Sequence, residues 1–323
     1  MSTIALRGPA RVVLTQHRRA LQLLGALPVL VVVALVGASL WSQHLTDVFA
    51  STDCSVNHVT LDCGNTVHTF LDHELRLQKV FDWAALLMMV LPAFIGIFVA
   101  GPVIGREMES GTYRLALSQS VAPARWLAAK LAVPAVVTLA CVSVLSAACA
   151  WAWSQPDNHY EKPEWYERGV YGSIGTVPVG YALCMLALGA LAGLLLRRTV
   201  AAMVSTVIGY GALVMALNSV RDRLWPTVTT TFKLGSFDVP DRASLVRRGW
   251  LSASGQRLPD TTCQHWADDL EQCLADQHIT RGYLDYHPAS HFWPLQLVET
   301  GILLALAALA VALTFRVLRR RHG

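Results

Sequence analysis

Charge is what this 323-residue chain has least of: 15% of its residues are Asp, Glu, Lys or Arg, against about 25% in a soluble domain. The deficit is concentrated in several nearly uncharged runs of about 20 residues, long enough as helices to cross roughly 30 Å of hydrocarbon. A soluble globular protein is thereby excluded. The 26 Lys and Arg form no basic stripe with interleaved aromatics, which argues against nucleic acid as a partner. No Gly-x-x-x-x-Gly-Lys-Ser/Thr phosphate loop occurs, so the chain has no ATP cradle of that kind. His-Glu-x-x-His, Gly-x-Ser-x-Gly and paired intramembrane acids are also missing, which leaves little chemistry for a membrane-embedded enzyme. No catalytic residue is assigned. No cleavable signal peptide is expected, because the first apolar run is too long for one and lacks a small-residue cleavage site.

What the chain does have is apolar surface: 54% hydrophobic residues and a mean hydropathy of +0.42. Six spans are expected, at about Ala20 to Trp41, Trp83 to Gly105, Trp126 to Trp153, Thr176 to Leu196, Thr199 to Val220 and Leu295 to Phe315. Inside hydrocarbon every backbone N–H and C=O must find its partner within the segment, so the expected class is an all-α polytopic membrane protein. Pro92 and Pro102 fall within the second span, where neighbouring helices can satisfy the freed carbonyls. The expected organisation is a cytoplasmic N-terminus (1–19) and five transmembrane helices over 20–220. Polar loops at 43–82, 106–126 and 154–175 interrupt them, an extracytoplasmic lid covers 221–291, and a last helix with a basic tail covers 292–323.

Orientation follows from the distribution of Lys and Arg. With the N-terminus inside, the inner segments hold Arg7, Arg11, Arg18, Arg19, Arg106, Arg114, Arg125, Lys130, Arg197, Arg198, Arg316, Arg319, Arg320 and Arg321. The two shorter outer loops hold only Arg76, Lys79, Lys162 and Arg168. Both termini are therefore expected in the cytoplasm of a cell whose plasma membrane this chain crosses. Of seven cysteines, Cys54, Cys63, Cys263 and Cys273 all fall in loops assigned outside, and an even count on the oxidising face reads as two disulfides. Four cysteines allow three pairings, of which Cys54–Cys63 and Cys263–Cys273 are preferred as local. A zinc site built from Cys54, Cys63, His58, His68 and His73 is the alternative, and it needs more assumptions. Trp266, Leu270 and Leu274 sit at helical spacing, which implies a small helix beside the second disulfide. Trp41, Trp83, Trp126, Trp151, Trp153 and Trp293 lie at span ends, as an interfacial belt requires.

Of the 22 Asp and Glu, only Glu107 and Glu109 lie in segments assigned to the cytoplasm, and only Glu299 lies in a span. Both glutamates stand at the C-terminal end of the second helix, where a negative charge opposes the helix dipole. Something has to offset that, and Arg106, Arg125 or Lys130 on the returning helix can do so. Gly111 is suited to a left-handed cap. Thr112 can then cap a short helix through Leu117, with Tyr113 and Leu117 on one face.

The stretch Arg106-Glu-Met-Glu-Ser-Gly-Thr-Tyr-Arg-Leu-Ala-Leu-Ser-Gln-Ser-Val, followed by Arg125-Trp-Leu and Lys130, resembles the permeases of type-2 ABC exporters, most closely an actinobacterial group. Arg11 to Ala20, with Gln16-His17-Arg18-Arg19, resembles that group's N-terminal amphipathic elbow helix. His287-Pro-Ala-Ser-His-Phe-Trp-Pro-Leu-Gln and then Glu299-Thr-Gly resembles the start of its sixth span. The resemblance implies a type V ABC exporter-like fold: two six-helix halves around a central pathway, each docked on a nucleotide-binding subunit through a coupling helix. The coupling region then maps onto Arg106, Glu107, Glu109, Gly111, Thr112, Tyr113, Arg114, Leu117, Arg125 and Lys130. ATP and Mg are held by the partner ATPase subunit and no cofactor by this chain; the other permease half is a second copy or a paralogue, with a homodimer expected. By the same resemblance Met88, Met89, Phe94, Phe98, Tyr210, Met215 and Asn218 are candidates to line the pathway, though each is also ordinary helix packing. Glu299, one turn into the last span, is a functional candidate by its position, or a structural acid paired with a loop Arg or a helix N-terminus. A non-transporting sensor that binds an extracellular ligand and couples to an ATPase is the alternative function.

Overall fold

The computed structural model describes residues 18–111, 123–155, 163–236, 239–263 and 270–322. Among the described residues are six helices long and apolar enough to cross a membrane, one for each run read from the sequence. They are α1 (Arg18–Ala50), then α2 (Gly64–Phe94), which continues through a π-helical turn (Ile95–Ala100) into α3 (Gly101–Ser110), and α4 (Pro123–Trp153). After the short α5 (Arg168–Tyr171) come α6 (Val177–Leu196) and α7 (Thr199–Val220); α8 (Leu270–Asp276) is again short, and α9 (Phe292–His322) is the last span. The expected elbow helix lies almost wholly outside the described residues. The chain forms two compact units. The larger comprises residues 1–163, 167–215 and 299–323, the smaller 164–166 and 216–298.

In the larger unit α6 is apolar on every side, which marks a helix enclosed by others. It packs against α2, the π turn, α3 and α4. Glycines on both partners set how closely they meet. A Cβ at Gly189 would stand 2.5 Å from the carbonyl oxygen of Gly96, and one at Gly193 would stand 3.0 Å from that of Gly101. Small residues four apart on facing helices let backbones touch, which is the main source of packing between helices in lipid. Pro92 has no N–H to contribute to the ladder of α2, and the π turn follows three residues later, at the level of this seam. Ile95, Ile104, Leu127, Leu145, Met185, Leu194 and Leu303 are almost completely buried. In contrast α1, α7 and α9 leave most of their apolar surface uncovered.

Two helices run well past the ends of their apolar runs. α1 continues to Ala50 and α2 starts at Gly64, so most of the polar stretch 43–82 is helix. Leu75, Arg76, Leu77, Gln78 and Lys79 are good helix formers, and polarity ends a membrane span without ending a helix. Phe49 and Phe70 stack at 4.2 Å between ring centroids. The remaining connection is closed by Cys54–Cys63, with Cα atoms 5.5 Å apart.

The smaller unit holds a four-stranded antiparallel sheet of β1 (Val228–Lys233), β2 (Ser244–Ser252), β3 (Arg257–Pro259) and β4 (Ile279–His287), in the order β1-β4-β2-β3. The all-α expectation holds for the spans and is corrected here. Thr229-Thr230-Thr231 is β-branched but polar throughout, and β4 carries Arg281 and Asp285, so neither strand shows the apolar alternation that announces one. β1 pairs Val228 with Tyr286 through Lys233 with Arg281. Asp285, 6% exposed, is held by Thr229 Oγ1 at 2.6 Å and by Arg257 Nη1 at 3.0 Å. The Arg257 guanidinium lies 4.7 Å above the Tyr283 ring, which occupies the space a side chain at Gly249 would need. Trp165 anchors its short segment to this unit by donating to the Arg242 carbonyl at 2.7 Å. The second disulfide joins Cys263 and Cys273 in a small core with Leu274 and Ile279, against which Trp250 and Leu258 pack. Both local pairings preferred from the sequence are present, so Cys54 and Cys63 are not free to bind zinc. Trp266 lies outside the described residues.

The seam makes a specific demand. Gly189→Val forces a side chain into the Gly96 backbone and is expected to destabilise by about 1–3 kcal/mol. Gly37→Val, where a Cβ meets nothing within 4 Å, is expected to leave the unfolding temperature of the detergent-solubilised protein unchanged. Equal shifts for the two variants would refute the seam.

Candidate functional site

The segment singled out by its acids sits where α3 ends, α4 begins and α7 begins. α3 terminates at Gly111, whose φ of 71° is left-handed, as its sequence position suggested. Thr112, Tyr113, Arg114 and Leu117 lie outside the described residues. On either side of them the anchoring is explicit. Glu107 Oε1 forms an ion pair with Lys130 Nζ, tying the last turn of α3 to α4 about two turns after α4 begins. Lys130 is only 5% exposed and Glu107 20%, and the Lys130 ammonium also lies 5.7 Å from the centre of the Trp126 ring.

Glu109 turns the other way. Its Oε2 accepts the backbone N–H of Thr199 at 3.0 Å and the Thr199 hydroxyl at 2.7 Å. Thr199 opens α7 just after Arg197, itself left-handed at φ 54°, so the α6–α7 turn is compressed into two arginines. The first N–H groups of a helix have no partner within it and carry the positive end of its dipole. Glu109 thus caps α7 from a different helix, with Arg198 and Arg106 close enough to attract it. The dipole that both glutamates oppose in α3 is offset by two separate partners. Glu107 found one of the cations named for it; Thr199 was missed, although a Thr immediately before an apolar run is a recognisable helix-start signal. Arg106 and Arg125 are exposed.

The family model described as ABC-2 membrane transporter related matches residues 24–221. The chain belongs to that family. It is therefore a type-2 ABC transporter permease, a multi-pass membrane component of an ABC transporter without an ATPase site of its own. The match takes in α1 from Leu24 onward and all of α2 to α7, including every residue of the Glu107 and Glu109 clamp, and ends before the sheet. No curated protein and no protein of solved structure matches the chain.

In this permease the residues named for a pathway differ in exposure. Met88 is 1% exposed and belongs to the core, whereas Phe94, Phe98 and Met215 are 52%, 57% and 75% exposed. Phe94 and Phe98 stack with centroids 5.6 Å apart. Met89 and Asn218 are half-buried. Tyr210 donates its hydroxyl to the Met89 carbonyl, linking α7 to α2 just before Pro92. Glu299 is fully buried and accepts a hydrogen bond from the Tyr181 hydroxyl at 3.1 Å; Tyr181 in turn meets Tyr210 edge-on at 6.1 Å. One residue further along, Thr300 bonds Thr176 at 2.8 Å. Glu299 therefore belongs to a polar contact between α6 and α9, with the Tyr181 phenol as one of its partners.

Removing one member of a largely buried ion pair costs more than removing both. Glu107→Ala is expected to lower stability by roughly 1–3 kcal/mol by leaving Lys130 without its counter-charge. The Glu107→Met, Lys130→Met double variant should recover more than half of that loss in SDS-induced unfolding. Additive effects of the two substitutions would show that the pair is not coupled.

Proposed function

We propose that this permease subunit exports its substrate using ATP hydrolysed, with Mg, on a separate nucleotide-binding subunit. Residues 106–130 receive that subunit, and the functional unit is a pair of permease halves, two copies of this chain. The observation that carries the reading is the double clamp. A loop whose flanks are fastened to α3, α4 and α7 passes a displacement on to the helices, where a loosely tethered loop would absorb it. Closure of two partner subunits would then bias the helices between two rigid-body packings. The exposed Arg106 and Arg125 flank the loop, and Arg114, Tyr113 and Leu117 supply its contacts.

The permease lies in the bacterial plasma membrane with both termini in the cytoplasm. The Lys and Arg asymmetry supports that orientation, and so do two disulfides in segments assigned to the oxidising side. Phe94, Phe98 and Met215, exposed on a single chain, suit a path completed by the second half; adaptable Met and aromatic surface fits an apolar substrate.

The test is gentle extraction from native membranes, identification of co-purifying proteins by mass spectrometry, and measurement of ATP turnover and vesicle transport. A stoichiometric ABC ATPase is expected. Glu109→Gln combined with Thr199→Val should retain ATP turnover while transport falls at least several-fold. Absence of any ATPase, or undiminished transport in that variant, would overturn the proposal.

A further inference from the structure

A cavity of about 280 Å³ opens between α1, α2 and the C-terminal end of α4, within the larger unit. It is far from the clamp. Trp153 on its wall and Lys130 are 23 residues apart on α4, about 35 Å at 1.5 Å per residue. Its size suits a small ligand, being near the lower end of the range for ligand sites, with room for about nine waters at ~30 Å³ each.

The lining is divided by chemistry. Leu35, Phe81 and Trp153 supply apolar wall, while Asp47, Glu74 and Gln78 supply oxygen atoms. Trp153 is fixed by donating its indole N–H to the Pro163 carbonyl at 2.9 Å. Glu74 is 1% exposed, and Gln78 Oε1 is buried without a hydrogen-bond partner. No Lys or Arg is among the described lining residues. An anion would meet two carboxylates, and a neutral alcohol would gain little from them. An ammonium supplies three donors and a positive charge, and the Trp153 and Phe81 faces attract cations as well. The cavity also lies beside Trp41 on α1 and just before Trp83 on α2, the level at which aromatic residues meet headgroups.

We infer that this cavity binds a primary ammonium carried on an apolar stem, with Asp47 and Glu74 holding the charge and Leu35, Phe81 and Trp153 holding the stem. The site is independent of the transport reading: it is a property of α1, α2 and α4 in a single chain. The same chemistry is offered by an aminophospholipid headgroup and by a soluble amphiphilic amine.

The test is thermal unfolding of the full chain in phosphatidylcholine nanodiscs titrated with n-decylamine, n-decanol or n-decanoate. Decylamine is expected to raise the unfolding temperature saturably, because a ligand that binds only the folded state stabilises it. Decanol and decanoate should not. Asp47→Asn, at an exposed position where folding is not at risk, should weaken the apparent decylamine affinity by about tenfold, the scale of a lost charge-assisted hydrogen bond. Glu74→Gln should weaken it further. Replacing part of the lipid by phosphatidylethanolamine separates the sources. A raised baseline with no further response to decylamine assigns the site to the lipid, and an unchanged response assigns it to a soluble amine. Equal responses to decylamine and decanol, or a response unaltered in Asp47→Asn, would overturn the inference.

Discussion

The closeness with which α6 meets the α2–α3 rod governs the rest of the larger unit. Gly189 and Gly193 on one side face Gly96, Gly101 and Gly105 on the other; a Cβ at Gly189, Gly193 or Gly96 would stand 2.5, 3.0 or 2.8 Å from the nearest neighbouring atom. In lipid, where apolar surface gains nothing by leaving the solvent, this contact is the available source of helix–helix attraction. It also fixes a distance. α6 ends at Leu196 and turns through Arg197 and Arg198 into α7, so the seam that places α3 against α6 also carries the end of α3 to the start of α7. Glu109 can reach Thr199 only because of that approach. Glu107 completes the arrangement by fixing α4 to the same helix end.

The sequence shows the clamp in part. Two acids in an otherwise basic set of segments oppose the dipole of their own helix, and that conflict points to partners elsewhere. One of the cations named for the role, Lys130, is the partner of Glu107. The partner of Glu109 is a helix N-terminus, and such a partner is a backbone group that no side-chain tally reveals. Local hydropathy placed all six spans because hydrocarbon imposes a length on each. It could not place the ends of α1 and α2, since a helix persists through polar residues of good propensity once its hydrogen-bond ladder is running. Cysteine position gave both disulfides because the short separations, 9 and 10 residues, favour local closure.

The sheet was hidden for a different reason. β1 relies on threonines, and β4 carries a buried acid, Asp285, whose ion-pair partner Arg257 stands on β3. Asp285 is satisfied across strands by Thr229 and Arg257, so a charged residue is compatible with a buried strand only once the tertiary contacts exist. The pathway candidates were chosen by helix and side-chain type, and a single chain exposes Phe94, Phe98 and Met215 while burying Met88. Those exposed positions lie on the chain's surface, where a second half can complete a path.

The two ends of α4 are proposed to do different work: Lys130, paired with Glu107, fixes the flank of the segment proposed to receive an ATPase, and Trp153 walls a small cavity proposed to hold an amine. The central claim concerns the loop. It is tested most directly by placing a photo-activated cross-linking amino acid at Tyr113 and irradiating native membranes. The account predicts a covalent adduct to a separate ATP-binding polypeptide, with a yield that falls when Glu109 and Thr199 are replaced. Adducts to lipid alone, or to a second copy of this chain with no ATPase, would contradict it.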